Sequence, residues 1–136
     1  MLNKEQDSAR NELRQLFDAA AAKSLAVVCN LDAEPEMARF VEFVKQNPAL
    51  QEDVVRLIVE SFSDDFYMSW APVDLCEYCV HAFRWPELRE FILANRKADI
   101  DRRGAGCSAV WNDILEAFED DWINAQYYEA FKGDHQ

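Results

Sequence analysis

The chain has 136 residues with 26 acidic against 14 basic side chains, a formal charge of −12, and 50% apolar and 12% aromatic content. At this length roughly two thirds of the unfolded chain's surface can be buried, enough for one hydrophobic core without a metal or disulfide staple. The acidity excludes a direct nucleic-acid binder, which needs a basic face to neutralise phosphates, and disfavours an anionic membrane surface for the same reason.

Met1 to Asp7 are polar and no apolar stretch with a small-residue cleavage site follows, so no secretory signal is expected. The best apolar run, Leu25 to Cys29, is five residues long, against the ~18 to 20 that a membrane span requires. Cys29, Cys76, Cys79 and Cys107 each sit among apolar residues, as reduced core thiols of a cytosolic protein do.

Apolar residues recur at three and four. Leu13, Leu16, Phe17 and Ala20, then Met37, Phe40, Val41 and Val44, predict helices over about residues 8–29 and 35–46. Pro48, Pro72 and Pro86 each precede a new periodic run, where proline in the first helical turn loses no hydrogen bond. Glu36, Asp74 and Glu87 suit the positive helix ends. Helices are therefore expected to begin near 35, 48, 72 and 86. A last long helix is expected from about Ser108, a suitable N-cap after a loop from Asp99 to Gly106.

An internal echo follows at an offset of 56: Ile58-Val59-Glu60-Ser61-Phe62-Ser63-Asp64-Asp65-Phe66 against Ile114-Leu115-Glu116-Ala117-Phe118-Glu119-Asp120-Asp121-Trp122. Val55, Ile58, Val59, Phe62 and Phe66 would form one core stripe, and Trp111, Ile114, Leu115, Phe118 and Trp122 its counterpart. The expected fold is all-α with about six helices, arranged as HEAT-like stacked pairs or as an irregular bundle. Within a single domain, 1–34 would be an N-terminal capping helix, 35–70 a first helix pair and 71–136 a second, longer unit.

On the repeat helices Asp53, Glu60 and Asp64, then Asp113, Glu116 and Asp120, fall opposite the apolar stripe. Residues 50–80 hold seven acids and one base, and so do residues 111–136. An ordinary solvated face mixes signs. Like charges at i,i+4, such as Glu60 with Asp64 and Glu116 with Asp120, destabilise a helix by roughly 0.2–0.5 kcal/mol each. A basic partner would account for them. Residues 84–103 carry a local excess of +2, from Arg84, Arg89, Arg96, Lys97, Arg102 and Arg103 against four acids, available to neutralise the acidic helices internally. Phe66, Tyr67, Trp70, Trp122, Tyr127 and Tyr128 lie near the Asp pairs; they are core material or, beside an acidic rim, anchors for a protein partner.

Cys76 and Cys79 form a C-x2-C with His81 nearby. A structural zinc site needs four ligands, and Cys76, Cys79, Val80 and Phe83 also make a helical core stripe, so core-facing thiols are the simpler reading. His81 is expected on the outer side of that helix. No nucleophile elbow, P-loop, Rossmann glycine pattern, zinc-protease motif or EF-hand loop is present, and no enzymatic activity or cofactor is expected.

The stretch Ala71-Pro72-Val73-Asp74-Leu75-Cys76-Glu77-Tyr78-Cys79, the turn Arg84-Trp85-Pro86-Glu87-Leu88 and the run Ala117-Phe118-Glu119-Asp120-Asp121-Trp122 resemble segments of small acidic all-helical bacterial proteins of the toxin-immunity type. The resemblance covers about the last half of the chain and brings no catalytic residues. It implies an inhibitor that masks a cationic toxin surface. The expectation is a cytoplasmic protein-binding module, monomer or homodimer, that contacts a basic protein through Glu60, Asp64, Asp65, Trp70, Glu116, Asp120, Asp121 and Trp122. Two other readings stand beside it: a metal-binding or redox protein centred on Cys76, Cys79 and His81, and a DNA mimic that captures a DNA-binding protein.

Overall fold

The computed structural model describes residues 4–26, 30–61, 73–104 and 109–135, and these form an all-α protein with no strand among them. Six α-helices run Lys4–Ala26 (α1), Glu34–Gln46 (α2), Gln51–Ser61 (α3), Val73–Phe83 (α4), Pro86–Arg103 (α5) and Ala109–Glu116 (α6). Shorter 3₁₀ segments occupy Asn30–Ala33, Pro48–Leu50, Ile123–Tyr127 and Glu129–His135. The chain divides into two compact units, Met1–Leu75 and Cys76–Gln136.

In the first unit α1 packs on α2 and α3. Leu13, Phe17, Ala20 and Ser24 form the buried stripe of α1, and Met37, Phe40, Val41 and Val44 that of α2. Phe17 and Phe40 meet edge to face with centroids 5.5 Å apart, the geometry that aligns a ring's positive edge with its neighbour's negative face. Asn47 ends α2: its backbone N–H bonds to the carbonyl of Val44 at 3.0 Å and its side-chain amide to that of Phe43 at 2.8 Å. Pro48 then opens a 3₁₀ turn rather than α3 itself, which begins three residues later.

The phase of α3 differs from the expected one. Val54, Leu57 and Ile58 are its buried residues, while Val55 and Val59 are only half-buried. Asp53, expected to face outward, keeps 16% of its side-chain exposure and pairs with Arg10 at 3.3 Å. The sequence echo is therefore only partly an echo in burial: Ile58 and Ile114 are both buried and Glu60 and Glu116 both exposed, but buried Leu57 stands 56 residues before exposed Asp113 and half-buried Val55 before buried Trp111. Phe62, Phe66 and Ser108 lie outside the described residues.

In the second unit α5 packs on α6. Asp99 is not in a loop; α5 continues to Arg103, and Asp99 is 7% exposed. The indole N–H of Trp111 donates to its carboxylate at 2.6 Å and Arg102 at 2.9 Å. Arg102 and Arg103 thus belong to the last helical turn, where cations suit the negative helix end. Gly104 closes α5 at φ 92°, with its N–H on the carbonyl of Ile100 at 2.8 Å, a positive φ that favours glycine.

The long last helix is absent. The α-helix stops at Glu116, and from Ala117 onward i→i+3 bonds take over: Ala117 to Ile114, Glu119 to Glu116, Trp122 to Glu119, Ala125 to Trp122, Tyr128 to Ala125 and Phe131 to Tyr128, at 3.0–3.2 Å. Burial follows the same period, because Trp122, Ala125, Tyr128 and Phe131 are all buried. Three residues per turn eclipses positions i and i+3, so an apolar residue at every third position selects this geometry.

Candidate partner-binding surface

The segment from Ala117 to Phe131 is anchored by aromatic side chains that turn inward. Trp122 is 4% exposed, its ring 5.0 Å from that of His81. Phe131 lies 4.7 Å from His81 and 4.8 Å from Tyr78, and Tyr128 stands edge to face with Tyr78 at 5.0 Å. Trp122 is therefore a core residue and offers no face to a partner.

His81 is also inside, at 2% exposure, contrary to the expectation from helical phase. From Leu75 to His81 every residue of α4 is buried, and a helix buried all round has no outer side. The Nδ1 of His81 lies 2.8 Å from the Ala117 carbonyl. A carbonyl only accepts, so this nitrogen carries the proton and leaves Nε2 with a lone pair. That lone pair faces Arg84 Nη2 at 3.2 Å.

Arg84 links α4 to the acidic turn. It adopts φ 51°, a left-handed conformation that costs an L side chain about 1–2 kcal/mol. Its N–H bonds to the carbonyl of Val80 at 2.7 Å and closes the helix. Its Nε donates to the carbonyl of His81 at 3.1 Å and its Nη1 pairs with Asp120. Trp85 is extended at ψ 134°, as a residue before proline must be, and its ring stacks on that of Phe83 at 4.3 Å.

Outside this anchored core the segment presents acid. Asp113, Glu116, Glu119, Asp120, Asp121 and Glu129 are all exposed. Between Trp111 and Phe131 the sequence has no Lys or Arg. Asp120 is held by Arg84 and Glu129 by Lys132 at 2.8 Å. Two large apolar residues are exposed in the same stretch, Ile123 at 67% and Tyr127 at 55%. Ile123 escaped the sequence reading because it falls outside any helical stripe; the period-three set Trp122, Ala125, Tyr128 and Phe131 was the signal that could have found it, since it forces residue 123 outward.

In the first unit Glu60 is exposed and lies 3.8 Å from Arg14, an exposed pair of the kind worth about 0–1 kcal/mol. Arg10, Arg14, Arg56, Asp53 and Glu60 rim a shallow groove of about 290 Å³ floored by Leu13 and Leu57. Acids of α3 are thus partly matched by arginines of α1, so this surface is mixed in sign. Asp64, Asp65 and Trp70 lie outside the described residues.

The C-x2-C pair is buried, with Cys76 at 2% and Cys79 at 0% exposure. Burial pushes both thiols up from the ordinary value of 9.0, with the charge of Glu77 adding at Cys76 and that of Cys76 adding at Cys79. Metal ligation and redox chemistry both need the thiolate. The imidazole lone pair that would ligate is turned to Arg84, and among the described residues no three His, Cys, Asp or Glu side chains gather as a metal site would require. In a Cys29→Ser, Cys107→Ser background, native protein is expected to leave Cys76 and Cys79 unreacted with Ellman's reagent until denaturant is added. Because the folded chain holds these protons more tightly than the unfolded chain, their stabilising contribution is complete below pH 9.0 and is lost as the pH rises above it. Urea midpoints measured from about one pH unit below to about two above the thiol value of 9.0 should fall only on the alkaline side. Immediate labelling of native protein would contradict the core-thiol assignment.

No helix among the described residues is long and apolar enough to cross a membrane. Comparison with protein-family profiles, with curated proteins and with solved structures gives no match for the chain.

Proposed function

We propose that the protein is a non-enzymatic binding module that captures a basic protein partner through an acidic surface, in the manner of an immunity protein that neutralises a basic toxin. The observation that carries this reading is the exposed carboxylate run of the second unit, Glu116, Glu119, Asp120 and Asp121, in a stretch without any base. Arg84 answers only Asp120 among them. Left unmatched, such a run costs self-repulsion and gives nothing to the fold; against a cationic surface it steers encounter and selects the partner. The cytoplasm, where a toxin of the producing cell would be met, is the compartment this role implies.

The test is a triple variant, Glu116→Gln, Glu119→Gln and Asp121→Asn, compared with wild type for capture of a partner purified from the native host. These side chains are exposed, so stability should change by no more than about 0.5 kcal/mol. Association at low salt is expected to slow about tenfold or more, the range over which charge steering acts. Unchanged capture by a correctly folded variant would overturn the reading.

A further inference from the structure

Four large apolar side chains are exposed among the described residues: Leu25, Leu93, Ile123 and Tyr127. Leu25 and Leu93 are single positions on separate helices, and scattered apolar exposure of that kind is ordinary. Leu93 lies between Glu90 and Lys97 on a helix of mixed charge. Ile123 and Tyr127 differ. They open and close one five-residue 3₁₀ helix, and at 120° per residue they project from its two adjacent outward ridges. The inward ridge is filled by Ala125, with Trp122 and Tyr128 buried at 4% on either side. The backbone carrying the two side chains is thus pinned from within, which lowers the ordering cost of binding through them.

Their surroundings specify charge. Glu119, Asp120 and Asp121 precede Ile123 with only buried Trp122 between, and all three are exposed. An apolar pair that includes a tyrosine, rimmed by carboxylates on a fixed backbone, matches an interface anchor within a polar rim. The rim repels a second acidic surface, including that of another copy of this chain at its charge of −12.

We infer that Ile123 and Tyr127 are the apolar anchors of the acidic surface and that their occupant is a basic protein segment in which Lys or Arg alternate with aliphatic side chains. This rests on the proposed function and deepens it: the carboxylates set the encounter, and the two anchors set the residence time.

The probes are three synthetic peptides of equal length, one of Lys and Leu, one of Lys and Ser with the same charge, and one of Glu and Leu. Binding to the full chain is measured by calorimetry, and the site by NMR shifts of the Ile123 methyls and the backbone of 119–127. The Lys/Leu peptide should bind at least tenfold tighter than the Lys/Ser peptide and shift Ile123 and Tyr127, while the Glu/Leu peptide should not bind. The double variant Ile123→Ser, Tyr127→Ser should reduce Lys/Leu affinity to the Lys/Ser level, and a control pair Leu25→Ser, Leu93→Ser should not. Equal affinity for both Lys peptides, or an equal loss in the control pair, overturns the anchors and leaves the charge reading standing. Failure of both Lys peptides to bind overturns the charge reading and the anchors with it. Sedimentation showing a wild-type dimer that the double variant abolishes assigns the surface to a second copy and overturns the basic occupant.

Discussion

Replacing Trp122 by Ala is expected to destabilise the second unit by about 3–5 kcal/mol, the cost of deleting a large buried aromatic side chain. The ring sits beside His81 at 5.0 Å, Tyr128 at 6.1 Å and Phe131 at 6.3 Å. Its removal strips contacts from each and loosens the inward ridge that orders the acidic turn. The measurement is the urea midpoint with near-ultraviolet circular dichroism, which reports aromatic packing. An interface anchor behaves differently: truncated at the surface, it changes stability by about 0.5 kcal/mol or less. The same substitution therefore separates the buried role of Trp122 from the partner-anchor role that its position in the sequence suggested. A shift below about 1 kcal/mol would contradict the aromatic core described above.

Phe40→Ala in the first unit is expected to cost a similar ~3–5 kcal/mol. Phe40 is fully buried at 0% exposure and makes the edge-to-face contact with Phe17, which adds about 0.5–1.5 kcal/mol beyond area burial. A double-mutant cycle with Phe17→Leu isolates that coupling. The phase of α3 is tested alongside it. Val54 is at 0% exposure whereas Val55 is half-buried, so Val54→Ala should cost more than Val55→Ala. The reverse order would restore the core stripe that the sequence echo implied.

The stripe Met37, Phe40, Val41 and Val44 was legible because α2 is amphipathic and ends on a residue, Asn47, that satisfies its last carbonyls before a proline. Pro86 marked the start of α5 because Trp85 before it cannot continue a helix. The all-α class and the six helices followed from such signals. Three features were hidden for physical reasons. His81 was placed by phase relative to Cys79, but phase carries no information on a helix buried from Leu75 through His81. The end of α6 is hidden because periods of 3.0 and 3.6 differ by about 20° per residue, which over Trp111 to Ala117 sums to about 120°, no more than the width of an ordinary apolar helical stripe. The inward turn of Trp122 depends on that change of period.

Of the predicted contact residues, Glu116, Asp120 and Asp121 are exposed in the second unit, with Asp120 tethered by Arg84, and Glu60 is exposed in the first, where it faces Arg14. Sequence arithmetic located the charge but not its internal partners, because Arg84 meets Asp120 from 36 residues away and only through a left-handed backbone. Tyr127 stood among the aromatic residues that the sequence offered as core material or anchors, and its 55% exposure separates it from buried Trp122 and Tyr128; the exposure of Ile123 follows only from the inward turn of those two.

The most direct test of the central claim is the salt dependence of partner association. Between about 0.05 and 0.5 M salt, where the screening length shrinks severalfold, the association rate constant of wild type should fall steeply while its dissociation rate changes little. The Glu116→Gln, Glu119→Gln, Asp121→Asn variant should start lower and show a shallower slope. Equal slopes for variant and wild type would contradict the claim that this acidic surface captures the partner.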